Sequence, residues 1–398
     1  MIHDIIIVGA GVSGLTAALE LQKKGYEVLV LDANKRLGGR IQTELIDGYQ
    51  CDHGFQVLLP AYPSAREILD YEGLELSFYP KGALTYSDQI EWFGLPFSYS
   101  RKWMFGRFLG LGLKDMASLV KDICLSSSKI DLKKESSLRY MHKNYSDNFI
   151  NKFLNPFFSG VFLDRHCQAS YELFRFYLKL FLMGGAAVPK KGMQEIPNQI
   201  AKKLIQGTIR LHSEVKNVKE NELELSSGEK LSAKQIVIAC DQLGAHKLLP
   251  KHVPCPKKRE LKTFFFHTTT LERLAPLNFI LDNVLPLHIA IPTLIEPSYS
   301  KNKDHLCIVT CLGSQSVSSN EIKNALMEKI GSQVEKWESL YTHSILYALP
   351  YPVDKQYPKG PFHFCGDWTS FGSIEAAIKS GLNVSESVTS QLDNVECM

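Results

Sequence analysis

The stretch IIIVGAGVSGLTAALELQKKGYEVLVLDANKRLGGR, Ile5 to Arg40, decides the fold. Ile5 to Val8 is a short apolar, β-branched run, which reads as a strand buried on both faces. Gly9, Gly11 and Gly14 follow in GxGxxG spacing, and apolar residues then recur at helical period from Leu15 to Lys24 before Gly25 stops the helix. EVLVLDA returns as a second buried strand. Strand, glycine turn, helix and strand in this order open a doubly wound α/β fold. The first glycine permits the tight turn, the second lets the backbone approach a pyrophosphate, and the third lets helix and strand pack closely. Asp32 ends the second strand, 18 residues after Gly14, where a carboxylate accepts hydrogen bonds from ribose hydroxyls. The unit is therefore expected to bind a dinucleotide, with the pyrophosphate at a helix N-terminus through Gly9, Gly11, Val12, Ser13 and Gly14.

Beyond Asp32 and Ala33 the chain carries Arg36, Gly38, Gly39 and Arg40, a second glycine pair flanked by guanidinium groups. Such a pair allows close backbone approach to phosphate while arginine neutralises it. Near the other end, FHFCGDWTSFGSIEAAIKSG, Phe362 to Gly381, reads as a buried strand, a Gly-Asp turn and a fresh helix start.

These segments resemble the flavin amine oxidase superfamily, which also holds protoporphyrinogen oxidases and carotenoid desaturases. GAGVSGLTAALELQKKGYEVLVLDANKRLGGR, Gly9 to Arg40, carries the resemblance, with Asp32 where the family usually has Glu. DHGFQVLLPAYP, GGAAVPKKGMQEIPNQIAKKL, HSEVKNV and the terminal GD…GSIEAAIKSG extend it, and NPFFSGVFLDRHCQASYELFRF is similar to the desaturase-like branch. The resemblance implies an extended FAD whose ADP half lies on the first βαβ unit. It implies that Gly54, Phe55 and Gln56 run beside the flavin ring, that Val215 makes a backbone contact to adenine, and that Gly366 and Asp367 meet the ribityl chain or pyrophosphate. Ser373 and Ile374 then aim a helix N-terminus at the flavin, where negative charge accumulates on reduction. It also implies hydride transfer to flavin N5 from an amine or an unsaturated, isoprenoid-like skeleton, with oxygen or a quinone as the later acceptor.

The substrate side is less legible. Tyr347, Trp368 and Phe371 are candidates for an aromatic substrate wall, and Lys262 for a lysine holding water near the flavin. A Trp directly after a Gly-Asp turn fits core packing as well as a wall. A lone His beside a glycine turn is more often structural than basic, so His53 is assigned no role and no catalytic residue is named. A non-redox isomerase or mutase on the same scaffold, and a flavin-binding protein without catalysis, remain alternatives. No second GxGxxG follows a strand, which argues against an NAD(P)H domain.

The fold class expected is α/β: a doubly wound, Rossmann-like FAD-binding domain with an inserted α+β substrate domain. The FAD-binding part comprises 1–61, 190–245 and 346–398. The substrate part comprises 62–189, mainly helical, and 246–345, β-rich, followed by a helix over NEIKNALMEKIGSQVEKW, Asn320 to Trp337. The 398 residues, 44% hydrophobic and 22% charged, suffice for two joined domains. A net charge of +3 is too mild to imply nucleic acid. Nine scattered cysteines without CxxC pairs suit buried, reduced thiols in a cytoplasmic protein with no metal site, and Cys365 reads as core rather than a flavin anchor. No run has the length of a membrane span. WFGLPFSYSRKWMFGRFLGLGLKD mixes Trp92, Phe93, Phe97, Trp103, Phe105 and Phe108 with Arg101, Lys102 and Arg107, which fits either a peripheral membrane contact or an amphipathic lid.

Overall fold

In the computed structural model, residues 2–87, 89–94, 111–126, 130–281, 287–313, 317–352 and 362–396 are described. The opening strand Ile2–Val8 sits at the centre of a parallel sheet, with Val28–Leu31 on one side and Lys230–Ile238 on the other. Ile209–Arg210 extends the sheet beyond Val28–Leu31, and His363–Phe364 pairs with the end of Lys230–Ile238. Three distant parts of the chain thus build one sheet. Ile5, Ile7 and Val30 face one layer, where the helix Val12–Lys23 packs on the C-terminal helix Ile374–Glu396. Ile6, Val8 and Leu31 face the other, against Val215, Leu223 and Leu225. The last three come from two antiparallel strands, Val215–Val218 and Glu222–Leu225, which pair with each other. This alternation is the reason both strands read as continuous apolar runs.

The first helix starts at Val12, three residues earlier than the apolar period indicates. Ser13 and Gly14 are buried by contact rather than by hydrophobicity, so they leave no periodic signal. At the other end of the chain, the buried Glu375 carboxylate accepts from the Ser64 amide at 3.0 Å, the Ser64 hydroxyl at 2.8 Å and the Ala65 amide at 3.3 Å. These groups open the helix Pro63–Ile68, so Glu375 stabilises that helix end and ties it to the C-terminal helix.

A second sheet of seven strands runs Glu338–Ile345, Leu261–Thr268, His305–Leu312, Leu287–Ala290, Leu277–Ile280, Gly82–Tyr86, Ile90–Gly94. Its pairings are antiparallel except that of Leu277–Ile280 with Gly82–Tyr86. Phe264, Phe266, Cys307 and Val309 pack on the helix Ser319–Ile330, while Phe265, Ile308 and Ala290 face the first sheet's core. The helices Leu113–Leu125, Ser137–Asn144, Asn155–Phe162 and Tyr171–Gly184 complete this half.

Two differences from the sequence reading stand out. The stretch 62–189 also supplies Gly82–Tyr86 and Ile90–Gly94, whose short alternation is masked by flanking aromatics and glycines. The helix expected to run to Trp337 ends at Ile330, because Gly331 takes φ +86 and a 3₁₀ turn follows over Ser332–Lys336. Of the basic and aromatic stretch, Trp92 and Phe93 lie on a strand; Phe97, Arg101, Lys102, Trp103, Phe105, Arg107 and Phe108 fall outside the described residues. Among the described residues no helix is long and apolar enough to cross a membrane.

Candidate functional site

The two glycine turns meet at the end of the opening strand. Gly9 has φ +118, and a Cβ there would lie 2.7 Å from the Cys240 amide nitrogen. A Cβ on Gly14 would lie 2.1 Å from the Gly9 carbonyl oxygen, which is the close packing of helix on turn. Gly11 is different: a Cβ there meets nothing within 4 Å. It is the N-cap of the first helix and carries no side chain to cap the amides of the first turn, which are left to face an anion. The Gly38 amide donates to the Ala10 carbonyl at 2.8 Å, so the second glycine pair is held alongside the first turn. Gly38 and Gly39 both take positive φ, +112 and +62.

Asp32 is 7% exposed and organises this corner. Its Oδ2 accepts from the Ala10 amide at 2.7 Å, and its Oδ1 accepts from the Asn34 amide at 2.8 Å. Oδ1 also accepts from the Asn34 side-chain amide at 3.0 Å, so it is Oδ2 that keeps acceptor capacity for a hydroxyl. Arg40 spans the gap to the other end of the chain: it is ion-paired with the Asp367 carboxylate and donates to the Ala348 carbonyl at 3.1 Å. The guanidinium therefore joins the second glycine turn, the Gly-Asp turn and the segment after Glu338–Ile345.

A cavity of about 980 Å³ runs through all of these groups. Gly9, Gly11, Val12, Ser13, Asp32, Ala33, Gly38, Gly39, Arg40, Gly54, Phe55, Gln56, Val215, Gly366, Asp367, Ser373 and Ile374 line it. The Gln56 side chain is held by donation to the carbonyls of Arg40 at 3.0 Å and His53 at 2.9 Å, leaving its buried Oε1 without a partner and available to a ligand donor. Gly14 lies behind the wall. Arg36 turns away to the Gln42 side chain at 2.9 Å and an ion pair with Glu44. The open space at Gly11, the uncapped helix start and the orphaned Gln56 oxygen fit a dinucleotide.

Past Gln56 the wall changes to aromatic side chains. Phe149, Phe153 and Phe157 stack in sequence with ring centroids 5.7 and 5.6 Å apart, and Phe93, Phe158, Phe181 and Phe279 add to them. Tyr62 and Tyr177 stand where this half meets the glycine turns, with the Tyr177 hydroxyl donating to the Gly372 carbonyl at 3.2 Å. No Asp or Glu among the described residues lines this half; its polar side chains are Lys81, His288 and Thr310. The Lys81 ammonium donates to the Leu182 carbonyl at 2.7 Å, at the C-terminal end of the helix Tyr171–Gly184. The phenylalanines come from several elements, and only Phe157 and Phe158, on the helix Asn155–Phe162, and Phe93 fall within stretches singled out in the sequence.

Of the residues considered for a substrate wall, Trp368 lines the cavity but is 1% exposed, with Nε1 donating to the Cys240 carbonyl at 2.9 Å. Phe371 stands outside the wall, edge-on to Phe176 and Tyr177. Tyr347 pairs its backbone with Arg259, and the Lys262 ammonium donates to the Val317 carbonyl at 2.6 Å. The eight described cysteines are free, and Cys365 is fully buried, which pushes its thiol pKa up; Cys397 lies outside the described residues.

Residues 12–271 match the sequence model of the flavin containing amine oxidoreductases. The chain belongs to that family. Among curated relatives, a possible lysine-specific histone demethylase 1 from Drosophila melanogaster is 41% identical over 73 residues, 18% of this chain and 8% of that protein. Protoporphyrinogen oxidase 2 from Arabidopsis thaliana is 39% identical over 70 residues, 18% of this chain and 14% of that one. Among solved structures, cyclohexylamine oxidase from Brevibacterium oxydans superposes with a TM-score of 0.70 over 99% of this chain and 100% of that one, at 18% identity. That likeness is one of fold. Within that family, the glycine turns and Gln56 of this chain suit an FAD cofactor.

Two buried groups give the stability of the chain opposite pH dependences. Burial pushes His288 down to about 4. Between its ordinary value near 6.5 and about 4, the unfolded chain binds a proton that the folded chain refuses. This contribution is complete above the unfolded value and declines as pH falls, by up to about 3 kcal/mol. Asp52, buried beneath the Thr43 and Tyr299 hydroxyls, is pushed up to about 6, so its contribution is largest in acid and declines as pH rises toward 6. The His288→Gln variant is expected to lose stability less steeply than the native chain between pH 7 and 4.5. Urea titrations at the two pH values measure it; equal slopes would contradict the buried, neutral imidazole.

Proposed function

We propose that this chain removes hydrogen from an unsaturated, apolar, isoprenoid-like carbon skeleton. The observation that carries the reading is the aromatic half of the cavity, which offers stacked phenyl rings and no carboxylate among the described residues. A charged diamine entering it would lose its hydration without gaining a counter-ion, and burying an unpaired ammonium is costly. An extended hydrocarbon makes the opposite exchange, at about 25 cal/mol for each Å² taken from water.

The residues assigned to FAD are those the family resemblance implies, and their place on the cavity wall supports the assignment. The backbone at Gly11 and Gly39 would hold the pyrophosphate, Asp32 would accept from the ribose, and Val215 would hold the adenine. Asp367, held by Arg40, would hold the ribityl region, and Gly54 to Gln56 with Ser373 and Ile374 would hold the flavin ring. Bound FAD supplies an acceptor for hydride. The chain orients the substrate between the phenyl rings and keeps water from the reacting carbons. A second reading, oxidation of an amine carried on a bulky apolar group, draws on the family and on the aromatic faces, which attract a cation.

Product analysis tests the proposal. The FAD-loaded protein, incubated with isoprenoid alkenes and an added quinone or oxygen, is expected to return a product lighter by two hydrogens. A product of unchanged mass would replace this reading with a flavin-dependent isomerase.

A further inference from the structure

Four adjacent strands of the second sheet bring four polar side chains into one row. His288 lies opposite Thr310, Thr310 opposite Thr263, and Thr263 opposite His343. Directly opposed residues of antiparallel strands share a face. This face is the one turned to the cavity, since Leu261, His288, Thr310 and Ile345 line the wall while Phe264, Ile289 and Val309 belong to the core behind. With strands about 4.8 Å apart, the row spans roughly 14 Å.

The two middle members are chemically conspicuous. Thr263 and Thr310 are 0% and 4% exposed, and neither hydroxyl has a hydrogen-bond partner. A buried hydroxyl left so costs stability, and valine would fill the same space without that cost. The outer members are imidazoles. His288 is bonded to the Pro156 carbonyl through one ring nitrogen, which leaves the other as an acceptor. The His343 Nδ1 is hydrogen-bonded with the Tyr341 hydroxyl at 3.0 Å, and the ring stacks on His53 at 4.2 Å between centroids. His53 in turn lies 3.3 Å from the Glu44 carboxylate, which is 36% exposed and paired with Arg36. In the other direction the row meets Phe279, which interrupts it before Thr85 and the ion pair of Glu91 with Lys152.

We propose that His288, Thr310, Thr263 and His343 form a proton path, bridged by water at the two threonines and again between the edges of the stacked His343 and His53 rings, that carries the proton released in substrate oxidation from the cavity to His53 and Glu44 at the surface. The step balances. The substrate loses two hydrogens as a new double bond forms: one leaves with its electron pair to the bound flavin, the oxidant, and the other leaves as a proton to the free nitrogen of His288. The imidazolium then returns to neutrality by passing that proton along the row. His288 is thereby a catalytic residue, and the two threonines relay.

The inference rests on the oxidative reading, so one arm of its test needs no turnover. In crystals of the FAD-loaded protein, an ordered water is expected within hydrogen-bond distance of both the Thr263 and Thr310 hydroxyls, and absent from Thr263→Val; a dry gap in the native protein overturns the path. In the second arm, Thr263→Val and Thr310→Val, with Tm at or above the native value, are expected to slow anaerobic flavin reduction about tenfold. Thr263→Ser is expected to restore the native rate, and His288→Gln to slow it about a hundredfold, within the usual range for a general base. Native rates in both valine variants overturn the path while leaving the oxidative reading intact. If no apolar substrate reduces the flavin, that reading fails and the water between the threonines decides the path alone.

Discussion

Gly11→Val is expected to give a folded protein that holds no FAD. Gly11 has φ −74 and ψ 174, a conformation open to any residue, and a Cβ there meets nothing within 4 Å. The protein itself therefore has room for valine. What valine removes is the approach of a phosphate to the backbone and to the uncapped helix start, so affinity is expected to fall at least about 1,000-fold, some 4 kcal/mol. Gly14→Ala makes the contrast. Its methyl would lie 2.1 Å from the Gly9 carbonyl oxygen, a backbone atom that cannot swing away, and the expected cost is about 3 kcal/mol of stability. Thermal melts and the visible absorbance of the purified variants separate the two. A yellow Gly11→Val protein would remove the cofactor map argued here.

Arg40→Ala is expected to damage both stability and flavin binding. Asp367 is 8% exposed at its side chain and Arg40 is its ion-pair partner, so the truncation leaves a carboxylate with little access to water. Because the guanidinium is itself 32% exposed, the expected loss, about 2–3 kcal/mol, falls below that for a fully buried pair. Losing the bond to the Ala348 carbonyl also unties the segment that closes over the cavity. Arg40→Lys is expected to fail as a replacement, since one ammonium lacks the fork that reaches both acceptors. Removing both charges, Arg40→Ala with Asp367→Ala, is expected to recover part of the stability and none of the affinity. Urea unfolding and FAD titration of the three variants check this. A double variant that binds FAD as the native chain does would show that the pair acts only in folding.

The legible and illegible parts of the chain divide along physical lines. The turns at Gly9, Gly11 and Gly14 and the strand end at Asp32 could be read because they are local: each depends on a turn and its neighbouring strand within one short segment. The Gly-Asp turn at Gly366 and Asp367 was legible for the same reason. Arg40 could be read as a basic residue by a glycine pair, but not as the partner of Asp367, because that contact joins residues from opposite ends of the chain. Arg36, alike in sequence context, turns to Glu44 on the next strand. The aromatic half of the cavity was hidden, since Phe93, Phe153, Phe181 and Phe279 belong to four different elements and look like ordinary core residues one by one. The polar row was hidden more deeply. His288, Thr310, Thr263 and His343 become neighbours only through strand register, and no spacing in the sequence encodes register.

The most direct test of the proposed chemistry is anaerobic mixing of the FAD-loaded protein with two substrate panels, isoprenoid alkenes and short charged diamines, while the visible flavin band is followed. The account expects the band to bleach with an alkene and to persist with every diamine. Bleaching by a diamine, with the alkenes inert, would contradict it.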